Sequence, residues 1–188
     1  MGESAKRIVF LGPPNSGKGT QAVRLASRLG VPAISTGEML RAATAAGTEL
    51  GKKVDAVMKN GQLVSDELMA DLITERLTQV DARAGFLLDG YPRTAPQCRL
   101  LDQIVAGSGQ TLDIVLFLDA PDRVLIERAL LRAREDDKED IVRLRLEVYR
   151  RDTAPLVDEY RQRGLLREID GNRPIEEVEA QISTAVGL

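Results

Sequence analysis

A glycine-rich segment near the beginning of the chain has the residue types and spacing of a phosphate-binding loop. Residues 12–20 read Gly-Pro-Pro-Asn-Ser-Gly-Lys-Gly-Thr, which fits the pattern G-x-x-x-x-G-K and stands between a strand pattern and a helix pattern. Backbone N–H groups of such a loop bind phosphate oxygens with help from the helix dipole, and the lysine reaches the outer phosphates. A simple glycine-rich turn with a solvated lysine would not need this order of elements, so we interpret Lys18 as a phosphate ligand.

Arginine far outnumbers lysine in the chain, and a guanidinium group suits phosphate binding because of its forked geometry. Arg128 and Arg132 are one helical turn apart and share a helix face, so both can face the same site. A solvated face on a charged helix is the alternative interpretation. Arg143 and Arg145 are two residues apart on a helix and point in different directions, so at most one of them is expected to face a site. A GC-rich coding sequence would explain the general arginine bias without any role.

The composition excludes several kinds of chemistry. The chain has 188 residues, a net charge of −3, one cysteine and no histidine. A histidine base, a disulfide within the chain and a Cys/His zinc site are therefore excluded, and Cys98 is expected to be an ordinary helix residue. No apolar run is long enough for a signal peptide or a membrane-spanning helix, so the expected location is the cytoplasm. Nothing in the overall charge predicts binding to nucleic acid or to a membrane.

Short apolar runs alternate with helical patterns along the chain. Near-continuous apolar strands separated by helices predict a parallel sheet covered on both faces, which is the α/β class. Residues 36–63 break this rhythm because their pattern is helical without a strand, so we interpret them as a helical insertion between the second and third strands. The predicted strands are 7–11, 33–35, 85–88, 113–118 and a weaker one at 165–169.

Capping residues and prolines predict where several helices begin and end. Ser65 is expected to cap the helix that follows it, because acidic residues occupy the first turn. Asp136 followed by Glu139 has the pattern of a capping box, which predicts a helix break near residues 134–136. Pro155 lies inside the next helical pattern and predicts a kink there.

Four further motifs follow the predicted elements in a definite order. They are Ser-Thr-Gly-Glu-Met-Leu-Arg at 35–41, Asp-Gly-Tyr-Pro-Arg-Thr at 89–94, Asp-Asp at 136–137 and Thr-Ala-Pro-Leu at 153–156. Together with a loop that ends in Gly-Lys-Gly-Thr, these motifs resemble the adenylate kinase family over nearly the whole chain. The resemblance implies a P-loop NTPase core with a five-stranded parallel sheet flanked by helices. It also implies reversible transfer of the terminal phosphoryl group of Mg-ATP to AMP, which gives two ADP.

The resemblance also implies a division of the chain. The core would consist of residues 1–34 and 65–188, and the helical AMP-binding subdomain of residues 35–64. A very short lid would lie at about residues 132–135. Adenylate kinases normally place a lid between the positions of Arg132 and Arg134, whereas only Ala133 intervenes here. The ATP side is therefore expected to be unusually open, and water is expected to compete as acceptor, because lids exclude water from the reaction.

Individual site residues are assigned by the resemblance, position by position. The catalytic residues would be Lys18, Arg93, Arg128, Arg132, Arg134 and Arg145. ATP would be bound by Asn15, Ser16, Gly17, Lys18, Gly19, Thr20, Arg128, Arg132 and Arg173. AMP would be bound by Thr36, Arg41, Gln62, Leu63, Val64, Gly90, Tyr91, Pro92, Arg93, Gln97, Arg134 and Arg145. Of the two arginines considered above, the resemblance selects Arg145 and leaves Arg143 at the surface.

Three positions combine the resemblance with a physical argument. Asp89 ends a buried strand, where an unpaired carboxylate is costly. It resembles the family carboxylate that holds Mg²⁺ through water. No zinc is expected. Thr94 and Gln97 fit an S/T-x-x-Q capping box, so helix capping is an alternative to the implied reading of the adenine edge by Gln97. Asn15 stands where the family usually has glycine, and asparagine tolerates a left-handed backbone well enough for the loop to form.

The choice of acceptor depends on few residues. Related UMP and CMP kinases tend to have alanine at the position of Thr36 and to lack the glutamine at Gln97, so both residues favour AMP. A UMP/CMP kinase of the same fold is one alternative, and a nucleotide-binding regulator without transfer is another. The retained arginines argue against a regulator, because binding alone needs fewer cations. The expected partners are ATP, AMP and ADP, and a monomer is expected because no exposed apolar stripe predicts a dimer.

Overall fold

A five-stranded parallel sheet lies at the centre of the molecule. The computed structural model describes residues 6–47, 49–134 and 137–188. The strands are β1 Arg7–Leu11, β2 Ala33–Ser35, β3 Phe86–Asp89, β4 Ile114–Asp119 and β5 Leu166–Asp170, in the order β2-β3-β1-β4-β5 across the sheet. All four pairings between neighbouring strands are parallel, which confirms the predicted α/β class and the five-stranded sheet.

Helices connect the strands and cover the sheet. They are α1 Lys18–Leu29, α2 Thr36–Ala45, α3 Glu49–Lys59, α4 Asp66–Thr78, α5 Ala95–Gly107, α6 Asp122–Arg132, α7 Glu139–Val148, α8 Pro155–Gln162 and α9 Ile175–Val186. The helices α2 and α3 pack on each other between β2 and β3, as the helical pattern of this stretch predicts. None of the helices in the described part of the chain is both long enough and apolar enough to cross a membrane.

The central strand explains how the sheet positions a site at one edge. Ile8, Val9 and Phe10 in β1 are buried, and they alternate between the apolar clusters on the two faces of the sheet. Val9 pairs with Leu88 of β3 on one side and with Val115 of β4 on the other. Because the strands are parallel, the segments that follow β1, β2 and β3 emerge at the same edge, where ligands of open α/β sheets bind.

Two predicted helix ends lie where the sequence signals place them. Ser65 is the N-cap of α4, and its Oγ accepts a hydrogen bond of 3.4 Å from the N–H of Leu68. Helix α6 ends at Arg132 because Ala133 adopts a left-handed φ of 55°, so the predicted helix break is confirmed. Asp136, the predicted cap, lies outside the described residues.

A π-helical turn distorts the helical stretch directly before Pro155. Helix α7 ends at Val148, a π-helical turn covers Tyr149–Thr153, and Pro155 then begins α8. In the wide turn, the N–H of Ala154 donates to the carbonyl oxygen of Tyr149 at 2.8 Å. A proline has no N–H to continue the helical ladder and its ring needs room in the preceding turn, so the chain widens and then starts a new helix.

Candidate active site

One cleft at the carboxyl edge of the sheet collects nearly all of the predicted site residues. Its volume is about 740 Å³, and it extends from the loop after β1 to helices α2, α6 and α7. The predicted residues that line it are Asn15, Ser16, Gly17, Lys18, Gly19, Thr20, Thr36, Arg41, Gln62, Leu63, Val64, Asp89, Gly90, Pro92, Arg93, Gln97, Arg128, Arg132, Arg134, Arg145 and Arg173. The residues that the resemblance assigns therefore lie in one continuous cleft, although their segments are far apart in the chain.

The loop between β1 and α1 depends on backbone conformations that few residues adopt. Asn15 has a φ of 67°, and Gly17, at the N-cap of α1, has a φ of 99°. This confirms that the loop forms with asparagine at position 15. A side chain at Gly12 would place its Cβ 2.1 Å from the carbonyl oxygen of Leu118, so the loop packs directly on β4. The buried Nδ2 of Asn15 makes no hydrogen bond to any described residue, and a phosphate oxygen in the cleft would supply an acceptor.

Lys18 lies folded across this loop. Its Nζ donates to the carbonyl oxygens of Gly12 at 2.9 Å and Pro13 at 2.6 Å. Burial lowers the pKa of Lys18 to about 8, although the charge of Asp89 opposes part of that shift. A phosphate group bound in the loop would add negative charge beside the amine and favour its protonated form, so the arrangement suits an anionic ligand.

The lowered pKa predicts a pH dependence of ATP use by the free protein. Above about pH 8 the amine of Lys18 loses its proton in the empty site, so kcat/KM for ATP is expected to fall by about tenfold per pH unit. Below that pH the lysine is charged and kcat/KM for ATP is expected to stay level. Steady-state rates between about pH 6 and pH 10 test this. The decline of kcat should begin at higher pH, since bound phosphates stabilise the charged lysine, and a level kcat/KM across the range would contradict the assignment.

A tight turn after β3 lines the part of the cleft that the family resemblance assigns to the acceptor, and we call this turn the acceptor turn. Gly90 has a φ of 85°, and a Cβ there would lie 2.6 Å from Thr36 Oγ1 and 3.0 Å from an Arg93 guanidinium nitrogen. The Nε of Arg93 donates to the Gly90 carbonyl oxygen at 2.7 Å, and Thr36 Oγ1 donates to the Asp89 carbonyl oxygen at 3.3 Å. Only glycine fits this turn, because both its backbone conformation and its two neighbours exclude a side chain.

Three guanidinium groups lie close together around this turn. Burial lowers the pKa of Arg93, the charge of Asp89 opposes that shift, and the positive charges of Arg145 and Arg41 add to it. Although Asp89 and Asp137 lie beside it, such a cluster of like charges favours the binding of a further anion. The acceptor side of the cleft is therefore built to take a phosphate group.

The backbone of Arg93 is held from two directions. Its N–H donates to Gln97 Oε1 at 2.8 Å, and its carbonyl oxygen accepts from Thr153 Oγ1 at 2.8 Å. Thr153 is buried and belongs to the π-helical turn, so that turn has a contact with the cleft. The motif at 153–156 contributes to the family resemblance, but nothing in the sequence predicts the contact between Thr153 and Arg93.

Helix α5 begins with the predicted cap. Thr94 Oγ1 accepts from the N–H of Gln97 at 3.3 Å, as the S/T-x-x-Q pattern predicts. The glutamine side chain, however, does not bind the N–H of Thr94 as in a standard capping box, because its Oε1 accepts from Arg93 instead. Gln97 is buried and lines the cleft, so the helix end holds its amide in place beside the acceptor turn.

Asp137 organises arginines from the end of α6, from the segment after it and from α7, and the sequence assigned it no role. Arg132 binds its carboxylate through two hydrogen bonds of 2.9 and 2.6 Å, and the backbone N–H of Arg134 donates to it at 3.0 Å. A guanidinium nitrogen of Arg145 lies 3.9 Å from the same carboxylate, whose side chain is 1% exposed. Burial acts to raise the pKa of Asp137, but the hydrogen bonds and charges of these partners outweigh burial and lower it. Asp137 is therefore a charged anchor for the arginine cluster.

The remaining predicted arginines differ in their surroundings. Arg128 lines the cleft and lies 3.5 Å from the carbonyl oxygen of Ser16 in the phosphate-binding loop. Arg143 is 60% exposed and pairs with Glu139 one turn earlier, so its predicted surface position is confirmed. Arg145 is 18% exposed and lines the cleft, which agrees with the expectation that the two arginines of α7 point in different directions.

Tyr91 is the predicted site residue that does not line the cleft. Its ring lies fully buried in the apolar cluster beneath the acceptor turn, and burial raises the pKa of its hydroxyl. The motif at 89–94 therefore contributes to the cleft through its glycine, proline and arginine, whereas its tyrosine packs into the core. Cys98 is also buried; its Sγ lies 3.1 Å from the Tyr160 hydroxyl, and burial raises its pKa to about 11.

Oxygen donors lie where a divalent cation would accompany bound phosphates. A Cβ at Gly19 would lie 3.3 Å from Asp89 Oδ2, so this carboxylate contacts the beginning of α1. Thr20 also lines the cleft at this point. The described residues contain no group of three or more His, Cys, Asp or Glu side chains that could hold a metal by themselves. The residues present fit Mg²⁺, which prefers oxygen ligands and keeps several waters when it is carried by nucleotide phosphates.

Comparisons with known proteins agree with this arrangement. The family model described as adenylate kinase matches residues 10–165. An adenylate kinase of Stenotrophomonas maltophilia is 50% identical over 184 residues, which cover 96% of this chain and 98% of the relative. An adenylate kinase of Thermobifida fusca is also 50% identical over 184 residues, covering 96% and 97%. Adenylate kinase 1 of Synechocystis sp. is 48% identical over 182 residues, covering 97% of each chain. The match to the family model includes the phosphate-binding loop, the acceptor turn and the arginine cluster, so the chain belongs to the adenylate kinase family.

Proposed function

We propose that this protein transfers the terminal phosphoryl group of ATP reversibly to AMP, which gives two molecules of ADP. The main support is that a phosphate-binding loop and a second cluster of arginines open into the same cleft. Binding of a single nucleotide would need only the first of these. Two phosphate sites in one cleft bring a donor and an acceptor side by side, which is what direct transfer requires. Relatives of half-identical sequence carry the name adenylate kinase.

The donor half of the cleft binds ATP. Backbone N–H groups of the loop and of the first turn of α1 hold the phosphates, and Lys18 swings from its carbonyl acceptors to the outer phosphates. Arg128 and Arg132 add positive charge from α6 on the same side. Arg173, which follows β5 and lines the far end of the cleft, contacts the base through its backbone. The other ATP contacts come from Asn15, Ser16, Gly17, Gly19 and Thr20.

The acceptor half binds AMP. Arg93 and Arg41 bind its phosphate beside the turn at Gly90, and this contact offsets the repulsion among the guanidinium groups. Gln97 reads the polar edge of the base from the beginning of α5. Thr36, Pro92 and the residues Gln62, Leu63 and Val64 complete this half, at the junction of the helical insertion with the core.

The transfer step depends on positioning and on charge. Phosphoryl transfer needs little covalent chemistry from a protein, because the reacting oxygens need only be aligned and the developing charge neutralised. Lys18 and the arginines of the two halves can supply this without a histidine base. Arg134 and Arg145 both line the cleft, and Asp137 accepts from the backbone N–H of Arg134 and lies beside Arg145. We assign these two arginines to bridging the phosphates of the two substrates.

Mg²⁺ belongs to this proposal as the companion of ATP. Asp89 would hold the ion through water from the end of β3, and the ion would supply further charge neutralisation of the phosphates when bound. The role of the chain's own residues is to orient the phosphates around it. Asp89 also balances the charges of Lys18 and Arg93 within the cleft.

The proposal extends to the organisation of the protein. Residues 1–34 and 65–188 form the core, 35–64 form the AMP-binding subdomain, and the lid is reduced to about 132–135. Of the lid, 132–134 are among the described residues, and Ala133 joins α6 directly to Arg134 in a left-handed turn. The protein acts as a monomer in the cytoplasm, on ATP, AMP and ADP, without nucleic acid or membrane partners.

An acceptor panel tests the proposed reaction. ADP formation from ATP is expected to be at least about 100-fold faster with AMP than with UMP or CMP, because Thr36 and Gln97 favour adenine. Equal or faster reaction with UMP or CMP would identify a UMP/CMP kinase, and nucleotide binding without transfer to any acceptor would identify a regulator. A reaction with ATP alone serves as the blank. Because the connection at 132–135 is short, this blank is expected to show ATP hydrolysis faster than that of a relative with a full lid.

A further inference from the structure

Asp66 lies at the centre of a hydrogen-bond network beside the acceptor half of the cleft. Asp66 is the first residue of α4, and the sequence identifies it only as an acidic residue of the first helical turn. Its carboxylate accepts from Gln97 Nε2 at 2.8 Å and from Thr94 Oγ1 at 3.0 and 3.1 Å. Asp66 thus connects the helix that leaves the AMP-binding insertion to the beginning of α5.

The partners of Gln97 permit only one orientation of its amide. Asp66 as a carboxylate can only accept hydrogen bonds, so it requires the NH₂ group of Gln97. The backbone N–H of Arg93 can only donate, so it requires the oxygen. A reversed amide would set oxygen against carboxylate and NH₂ against N–H, which would lose both bonds and add two repulsions. The orientation of the Gln97 amide follows from these two partners, because one of them can only accept and the other can only donate.

The fixed amide has a defined polarity toward the cleft. After its two bonds, Gln97 retains one N–H on Nε2 and one lone pair on Oε1. A base edge with an amino donor beside a ring-nitrogen acceptor, as in adenine, is complementary to this pair. A 6-oxopurine offers the opposite order, a carbonyl acceptor beside an N–H donor, and would need the reversed amide.

We propose that Asp66 is a specificity-determining residue, which selects adenine over 6-oxopurines by locking the amide of Gln97. It acts through Gln97 and does not touch the base itself. The inference rests on the proposed function, in which AMP is the acceptor. It adds the physical reason why a glutamine, whose free amide could rotate to suit either purine, discriminates between them.

The test compares AMP with IMP as acceptors. Asp66→Asn replaces a group that only accepts with one that also donates, so it removes one of the two constraints on the Gln97 amide and leaves only the Arg93 N–H to oppose the reversed orientation. The ratio of kcat/KM for AMP to that for IMP is expected to fall by about tenfold. Asp66→Ser, whose hydroxyl also donates and accepts, is the second variant and should lower the ratio in the same direction. Glu67→Gln is the matched control, since Glu67 is an exposed neighbour in the same helix turn, and its ratio should equal that of the wild type.

The ratio separates a specificity role from a structural one. A general loosening of the helix ends would lower kcat/KM for AMP and IMP together and leave their ratio unchanged. Calorimetric titration of AMP and IMP into the folded variants gives the same comparison without turnover. An unchanged ratio in both Asp66 variants, alongside normal AMP turnover by the wild type, would overturn the inference and leave the proposed function intact. A wild-type protein that does not use AMP would refute the proposed function itself.

Discussion

Replacement of Lys18 by methionine is expected to lower kcat for ADP formation by about 10³-fold, since it removes the cation that we propose neutralises charge on the transferred phosphoryl group. Methionine keeps a similar length and fits the same space, so the loop should retain its shape. The effect on kcat should exceed the effect on KM for ATP, because the loop N–H groups remain to hold the phosphates in the ground state. Initial rates at saturating ATP and AMP measure the loss directly.

The thermal stability of the ligand-free protein provides a second test of the Lys18→Met variant. Burial lowers the pKa of Lys18 to about 8, which means that the folded state disfavours the charged amine at neutral pH. Below that pKa the penalty is fully present, and it is relieved as the pH rises toward the value of a free lysine. Lys18→Met removes the penalty, so its thermal unfolding temperature at pH 7 should be no lower than that of the wild type. Lys53→Met, at an exposed position of α3, is the control and should keep full activity. Turnover close to wild type in Lys18→Met would remove the catalytic assignment.

The fold was largely predictable because its strands are short, apolar and separated by helices. The buried run that became β1 and the run that became β4 have the near-continuous apolar pattern of strands covered on both faces. Single residues then determined the ends of helices, as Ser65 does for α4. The π-helical turn before Pro155 was not predicted, because a proline alone does not determine how the preceding helical turn adjusts to its missing N–H.

The site was predictable where a motif fixes the backbone, and less so where side chains cooperate across the chain. The loop around Lys18 and the turn at Gly90 are local, and the spacing of their residues nearly determines their shape. Thr153 and Asp66 bind residues far away in the chain, and Asp137 binds Arg132 across the end of a helix. Asp137 and Thr153 belong to motifs of the family resemblance, but no pattern in the sequence predicts the partners of these three residues. Only the packing of α4, α5 and α7 at the cleft reveals which partners they meet.

Two arginines on one helix provide the sharpest test of the proposed catalytic cluster. Arg145→Ala is expected to lower kcat by about 10²- to 10³-fold, because it removes a cation that we propose bridges the phosphates of the two substrates. Arg145 lies beside Asp137 and against Gly61 at the end of the helical insertion, and its charge acts on Arg93. Its removal is therefore expected to weaken the part of the cleft that we assign to both nucleotides.

Arg143→Ala changes the same type of residue two positions earlier, and its activity should stay within about twofold of the wild type because a surface ion pair contributes little. Arg143 is 60% exposed and its guanidinium binds Glu139, away from the cleft. The two variants share the helix, the charge change and the loss of one salt-bridging side chain, so a general effect on α7 would lower both activities. A loss in Arg145→Ala alone supports a direct role in transfer. Equal losses in the two variants, or none in either, would show that α7 contributes no bridging cation and that Arg93, Arg128 and Arg132 carry the charge of the transition state.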